Sequence, residues 1–149
     1  MPKASVKRSI ECKKEQLIDL VLDIEKYPQF VPFCLDSKIY EKKEKGDLLL
    51  IIADLTIGKG PFKDTYKSDV QYNKKEDSIH VTNLYGPLKH LKNKWYFKEE
   101  NNVTEVSFDI DFELKNHFLN IVMTKSFQFG LEKIADAFQK RADKLFNKT

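Results

Sequence analysis

The chain carries only two cysteines, Cys12 and Cys34. They stand far apart, with no CxxC pair and no histidine beside them, so neither a disulfide framework nor a thiolate metal site is indicated. Both are read as reduced thiols in a cytosolic setting. The three histidines, His80, His90 and His117, are scattered. None lies three or four residues from another histidine or a cysteine, so no metal centre is expected. His80 alternates to the outer face of its strand, and His90 and His117 fall at element ends, which leaves a general base without a setting. Arginine is scarce too: Arg8 and Arg141 are the only two among 26 basic residues. With a net charge of +3 supplied by lysine, the surface reads as solvated, and no DNA partner is expected. Long apolar runs are missing. The longest, Leu48 to Ala53, is far short of the ~20 residues that span a bilayer. The first eight residues have no apolar signal core, and no mitochondrial presequence is visible, so a bacterial, cytoplasmic chain is expected. No Gly-x-Ser-x-Gly elbow is present, and Gly58-Lys59-Gly60 reads as a hairpin turn without the Walker ending. Asp109 and Asp111 alternate to a wet face as solvated charges. No assembled catalytic constellation emerges, and the expectation is a protein that is not an enzyme.

What is present fits one soluble domain. At 149 residues, with 41% hydrophobic and 33% charged, the chain can bury a real core and is too apolar to be disordered. Residues 4–10 alternate, with Ala4, Val6, Arg8 and Ile10 on one side, as a strand does. Residues 14–25 carry a helical apolar pattern that Pro28 and Pro32 stop, leaving Tyr27 to Phe33 as an irregular apolar corner. Strands are predicted over 36–43, 47–57, 61–72, 77–85, 91–99 and 103–115, mostly joined by short turns, which implies antiparallel meander pairing. In the last, Thr104, Val106, Phe108, Ile110, Phe112 and Leu114 share one face, so the sheet has one buried and one wet side. Residues 118–146 read as one long helix whose apolar stripe runs Met123, Phe127, Leu131, Ile134, Phe138, Ala142 and Leu145. The stripe needs the sheet's apolar face. The fold class is therefore α+β: a curved antiparallel sheet of about seven strands wrapped around a long C-terminal helix.

Aromatic residues are abundant, with eleven phenylalanines, six tyrosines and one tryptophan. Phe30, Phe33, Phe62, Trp95, Phe97, Phe108, Phe112, Phe127 and Phe138 are predicted to project toward the sheet–helix interface, as a plain core or as the wall of a hollow. Gly130 favours the hollow, because a mid-helix glycine costs about 1 kcal/mol against alanine. Either the sheet backbone approaches closely there or a pocket needs the volume. The candidate ligand-binding residues are Phe30, Val31, Phe33, Trp95, Phe97, Phe108, Phe127, Gly130, Leu131 and Ile134. Apolar segments with basic neighbours mark a mouth suited to an anionic membrane surface: Leu84 to Leu91, and on the long helix Phe118, Val122 and Phe129 with Lys125. Tyr27, Pro28, Pro32, Gly86, Pro87, Leu88 and Lys89 are the candidate gate or membrane residues.

Three segments carry a family resemblance over roughly residues 3–146. Tyr27-Pro28-x-Phe30-Val31-Pro32-x-Cys34, Gly86-Pro87-Leu88-Lys89-His90-Leu91-x-Asn93-x-Trp95-x-Phe97, and Val106-x-Phe108-x-Ile110-Asp111-Phe112-x-Leu114 followed by Asn116 resemble the signatures of the coenzyme Q-binding protein family. That family lies in the START-like superfamily, also labelled polyketide cyclase/dehydrase or SRPBCC. Phenylalanine at 33 and leucine at 88 depart mildly from its pattern. The resemblance implies a helix-grip fold with a hydrophobic tunnel. It implies non-catalytic binding of ubiquinone or a similar isoprenoid lipid, as a quinone chaperone supporting respiratory electron transfer and quinone biosynthesis. With the apolar, lysine-flanked mouth, peripheral contact with the bacterial inner membrane is expected. The same subfamily includes ribosome association toxins, which implies as an alternative that the chain binds the large ribosomal subunit and inhibits subunit joining. The cyclase label implies a third, enzymatic reading that needs inward polar groups, for which Asp64 and Asn93 are the candidates.

Overall fold

Seven strands follow from the alternation: β1 (Lys3–Ile10), β2 (Cys34–Lys45), β3 (Leu48–Lys59), β4 (Phe62–Asn73), β5 (Ser78–Tyr85), β6 (Leu88–Glu100) and β7 (Val103–Leu114). The computed structural model describes residues 3–59, 62–85, 88–115 and 117–146; the side chains of 59, 62, 85, 88, 114 and 117–127 are outside the description. The strands form one antiparallel sheet in the order β1-β7-β6-β5-β4-β3-β2. β2 to β7 are successive hairpins, and β1 crosses to the far edge, with Lys3 opposite Asp111 and Ile10 opposite Thr104. The β6–β7 turn shows the local chemistry. Asn101 and Asn102 both have positive φ, 54° and 63°, the pair of left-handed residues that a two-residue hairpin matching the sheet's twist requires. Register shifts in β2, at Cys34/Asp36 and Ile39/Glu41, bend that edge, as bulges do.

The buried face of the sheet is the expected one. Ala4 and Ile10 of β1, Leu91, Trp95 and Phe97 of β6, and Thr104, Val106, Phe108 and Phe112 of β7 are all buried. Thr104 keeps its hydroxyl satisfied by donating to the Cys12 carbonyl at 2.9 Å. Helix α2 (His117–Phe146) lies against β1 and β7. Arg8 meets Asp136 at 2.8 Å, and Gln128 Nε2 donates to the Ser5 carbonyl at 3.3 Å. Leu131, Phe138 and Ala142 are buried, with Ile134 and Phe146 partly so. Leu145 departs from the predicted stripe and is 41% exposed. At 3.6 residues per turn, the position four after Ala142 stays nearer the buried line than the position three after it, so Phe146 takes the place.

Helix α1 (Lys14–Leu22) starts where Gln16 Oε1 accepts the Lys13 N–H at 3.0 Å and buries Leu17, Ile18, Leu20, Val21 and Leu22. It stops earlier than predicted. Residues Ile24–Gln29 form a 3-10 helix with Pro28 inside it, so Tyr27 to Gln29 are regular where an irregular stretch is expected, while Phe30 to Phe33 form the turns that the reading expects. Proline's fixed φ suits a 3-10 turn, and only one donor is lost. Phe30 and Val31 then both donate to the Tyr27 carbonyl, at 3.1 and 2.8 Å.

On the wet face Asp111 is more than a solvated charge. His90 Nε2 lies 3.1 Å from its Oδ1, and Lys3 Nζ lies 3.8 Å from Oδ2. The hydrogen bond with His90, with Lys3 adding to it, holds the Asp111 carboxyl below its ordinary 3.8. A carboxyl whose pKa is lowered by folding adds stability above its unfolded range and loses it as pH falls through the lowered value. Asp111→Asn is therefore expected to flatten the acid limb of stability below about pH 4, read as the denaturation midpoint against pH. An unchanged acid limb would mean that the cluster does not link the three strands energetically.

Candidate functional site

The inner face of β6 and β7 meets α2 through aromatic rings. Trp95 stands 4.4 Å from Phe108 and stacks on Phe97 at 6.4 Å between ring centroids. Phe138 enters from α2 and meets Trp95, Tyr27 and Phe30 edge-on at 5.4, 5.5 and 5.1 Å. The Tyr27 hydroxyl donates to the Val21 carbonyl, tying the 3-10 corner to α1. Arg141 donates to Gln29 Oε1 at 2.9 Å and lays its guanidinium 5.1 Å from the Phe30 ring centre. Burial pushes the Tyr27 and Tyr66 phenols well above the ordinary tyrosine range, and the Cys12 and Cys34 thiols up to about 11. Both cysteines are free and buried. These groups stay neutral at physiological pH and act as packing.

This end of the interface is filled. The cavity between Arg8, Val21, Trp95, Phe108, Ile134 and Phe138 measures about 20 Å³, room for one water and not for an isoprenoid unit. Space lies elsewhere. A side chain built on Gly130 would meet no atom within 4 Å. Of the two accounts of that glycine, close approach of the sheet is overturned.

The register places what faces this level of α2. Gln128, two residues before Gly130, bonds to Ser5. Its neighbour Ala4 pairs with Ile110, and Ile110 pairs with Asn93 of β6. Leu91, Asn93 and Trp95 share the inner face, and Asn83 of β5 accepts the Leu91 N–H at 2.9 Å. Asn93 Oδ1 is shut from solvent and has no hydrogen-bond partner, an arrangement that costs about 1–3 kcal/mol.

The remaining candidates divide. Phe30 and Val31 pack partly buried against the core, and Phe97 and Leu131 are buried. Phe33 is not interior: it is 39% exposed with φ 68°, because the chain must turn sharply there to enter β2. Pro32 is half-buried, while Pro28 and Lys89 are exposed. Asp64 also fails as an inward group. It is exposed, its carboxylate turned back to accept the Thr65 N–H at 2.9 Å. Gly86 and Pro87 lie outside the described residues, as do the side chains of Leu88, Phe62, Phe127, Phe118, Val122, Met123 and Lys125. Phe129 is 63% exposed, with Lys133 Nζ 4.7 Å from its ring centre. Tyr66 and Tyr72 pack against the core from β4 and are not among the residues that the sequence singles out. Their alternation with Lys67 and Gln71 was the available signal. Among the described residues no group of three or more histidine, cysteine, aspartate or glutamate side chains could hold a metal, and no helix is long and apolar enough to cross a membrane.

Comparison with known proteins finds the same pattern. The family described as polyketide cyclase / dehydrase and lipid transport matches residues 10–139. The ribosome association toxin RatA of Rickettsia prowazekii is 31% identical over 87% of this chain and 88% of its own length. The mitochondrial coenzyme Q-binding protein COQ10 of Dictyostelium discoideum is 34% identical over 88% of this chain, which spans 64% of that protein. A START superfamily protein from Mycobacterium smegmatis superposes with a TM-score of 0.78, at 20% identity over 96% of this chain and 98% of that one.

Proposed function

The chain belongs to the START-like polyketide cyclase/dehydrase and lipid transport family, alongside proteins named COQ10 and RatA, and from that premise we propose that it binds ubiquinone or a similar isoprenoid lipid without catalysing a reaction. The observation that carries this reading is the apolar aromatic inner face of β6 and β7, together with an open position at Gly130 on the helix packed against β1 and β7. A flat neutral ring gains from stacking against aromatic walls, and an isoprenoid tail gains from every apolar contact removed from water. Leu84 at the end of β5 and Lys89 at the start of β6 are exposed. A lipid entering by that route would leave a bacterial inner membrane at a peripheral contact and be carried as cargo. The Tyr27–Cys34 corner is the second element of the proposed gate. Its Tyr27 hydroxyl anchor at Val21 leaves Val31, Pro32 and Phe33 as the part that can yield.

The test is native mass spectrometry of the purified protein with organic extraction of what accompanies it. A co-purifying quinone is the expected result. Protein without any isoprenoid lipid, which also fails to take one up from vesicles, would overturn the reading.

A second reading has its own support. The similarity to RatA runs over 88% of that protein, and Lys92, Lys94 and Lys98 are exposed on the outer face of β6. Binding to the large ribosomal subunit, with inhibition of subunit joining, follows if the chain co-sediments with that subunit while taking up no lipid.

A further inference from the structure

We propose that Asn93 is the anchor for the polar end of the ligand, and that the site therefore selects lipids with a neutral, oxygen-bearing ring; this rests on the lipid-binding reading above. Asn93 sits in the middle of β6, flanked on the same face by Leu91 and Trp95 and paired across the sheet with Val81 and Ile110. The residues flanking it and paired with it on that face are apolar, Asn83 lies diagonally across with its oxygen taken by the Leu91 N–H, and the Asn93 carboxamide oxygen is shut from solvent without a donor. A buried amide in such a wall is normally paired, and Asn83, one strand over, shows the usual outcome by capping Leu91. The register brings α2 across at this level close to Gly130, where the helix surface is open. A polar group with no protein partner thus lies on the inner face at the strand level where α2 reaches Gly130.

The chemistry of the amide defines what fits. A carboxamide offers acceptor and donor sites, so it meets a ring hydroxyl through Oδ1 and a ring carbonyl through Nδ2. A pure hydrocarbon leaves it unpaired. A fatty acid carboxylate would be buried among Leu91, Trp95, Val81 and Ile110, none of which can pair its charge, while Arg8 on the inner face of β1 is already held by Asp136 at 2.8 Å. A neutral quinone or quinol head satisfies the amide and brings no charge.

Trp95, the only tryptophan, stands two residues away on the same face, so quinone binding is readable as quenching of its emission. Two uncharged probes are titrated: a decyl-tailed benzoquinone, and diphenylhexatriene, a fluorescent hydrocarbon with no hydrogen-bonding atom. The proteins are the wild type, Asn93→Leu, which keeps the shape, and Asn93→Ala as the second variant. Expected is a loss of about tenfold or more in quinone affinity in both variants. Diphenylhexatriene affinity and thermal stability should be unchanged or higher. Quinone binding equal to wild type in either folded variant would overturn the anchor and leave lipid binding standing. So would wild-type protein that takes diphenylhexatriene but not the quinone. A marked loss of stability in both ligand-free variants would show a structural role and also overturn it. Wild-type protein that binds neither probe would fail the lipid-binding reading itself, and the anchor with it.

Discussion

Phe138→Ala is expected to lower stability by about 3–5 kcal/mol, at the upper end for a buried aromatic. The ring is 5% exposed and meets Tyr27, Phe30 and Trp95 edge-on. Those partners belong to the 3-10 corner and β6, while Phe138 itself belongs to α2, so the ring joins three separate elements. Its removal would enlarge the existing space of about 20 Å³, and a wall drawn from several elements cannot close on a hole as easily as one flexible loop can. The loss is measured by chemical denaturation, with Phe129→Ala as the control. Phe129 is 63% exposed, so its loss should stay within about 0.5 kcal/mol. A cost for Phe138→Ala as small as the control would mean that the packed end of the interface is not what holds α2.

Gly130→Leu is expected to abolish lipid uptake while leaving the protein folded. An added Cβ meets nothing within 4 Å, so the substitution builds into space. Exchanging glycine for a good helix former in a helix interior gains about 0.8–1 kcal/mol. In a filled core the same change would instead force neighbours aside and cost about 1–3 kcal/mol. The two outcomes have opposite signs in thermal denaturation, and uptake of the decyl-tailed benzoquinone supplies the second readout. A clear stability loss with unaltered uptake would sink the assignment of that space to a ligand.

The sheet, its wet and dry faces and the long helix were readable because each rests on a local period. Alternation along β7 and the stripe from Leu131 to Ala142 are printed in the residues themselves. Features that depend on partners from elsewhere were not. The end of α1 is set by the 3-10 turn around Pro28, and Leu145 yields its place to Phe146. Phe33 is turned outward by a left-handed backbone, and no spacing in the sequence signals that conformation for a phenylalanine. Asp111 gains a histidine and a lysine from two neighbouring strands, a contact that exists only once the register is known. Asn93 was legible as an inward polar residue, but its lack of a partner was not, since satisfaction is a property of the assembled surroundings. The motif order predicted the family correctly, because it records which side chains surround one face of the fold without needing their geometry.

The position of β1 beside β7 also sets the order of assembly. β2 to β7 are neighbours in sequence and can pair hairpin by hairpin as they are synthesised, since each closure spans a short loop. β1 has no such option. Ile10 must wait for Thr104, and Lys3 for Asp111, while α2 is made later still. Throughout that wait the first strand and the apolar side of α1 have no lasting partner, and β7, once made, presents an open row of backbone donors and acceptors. The step expected to be slowest is therefore the docking of a strand made early onto one made late. During that interval the chain is at its most vulnerable to aggregation and most in need of a chaperone.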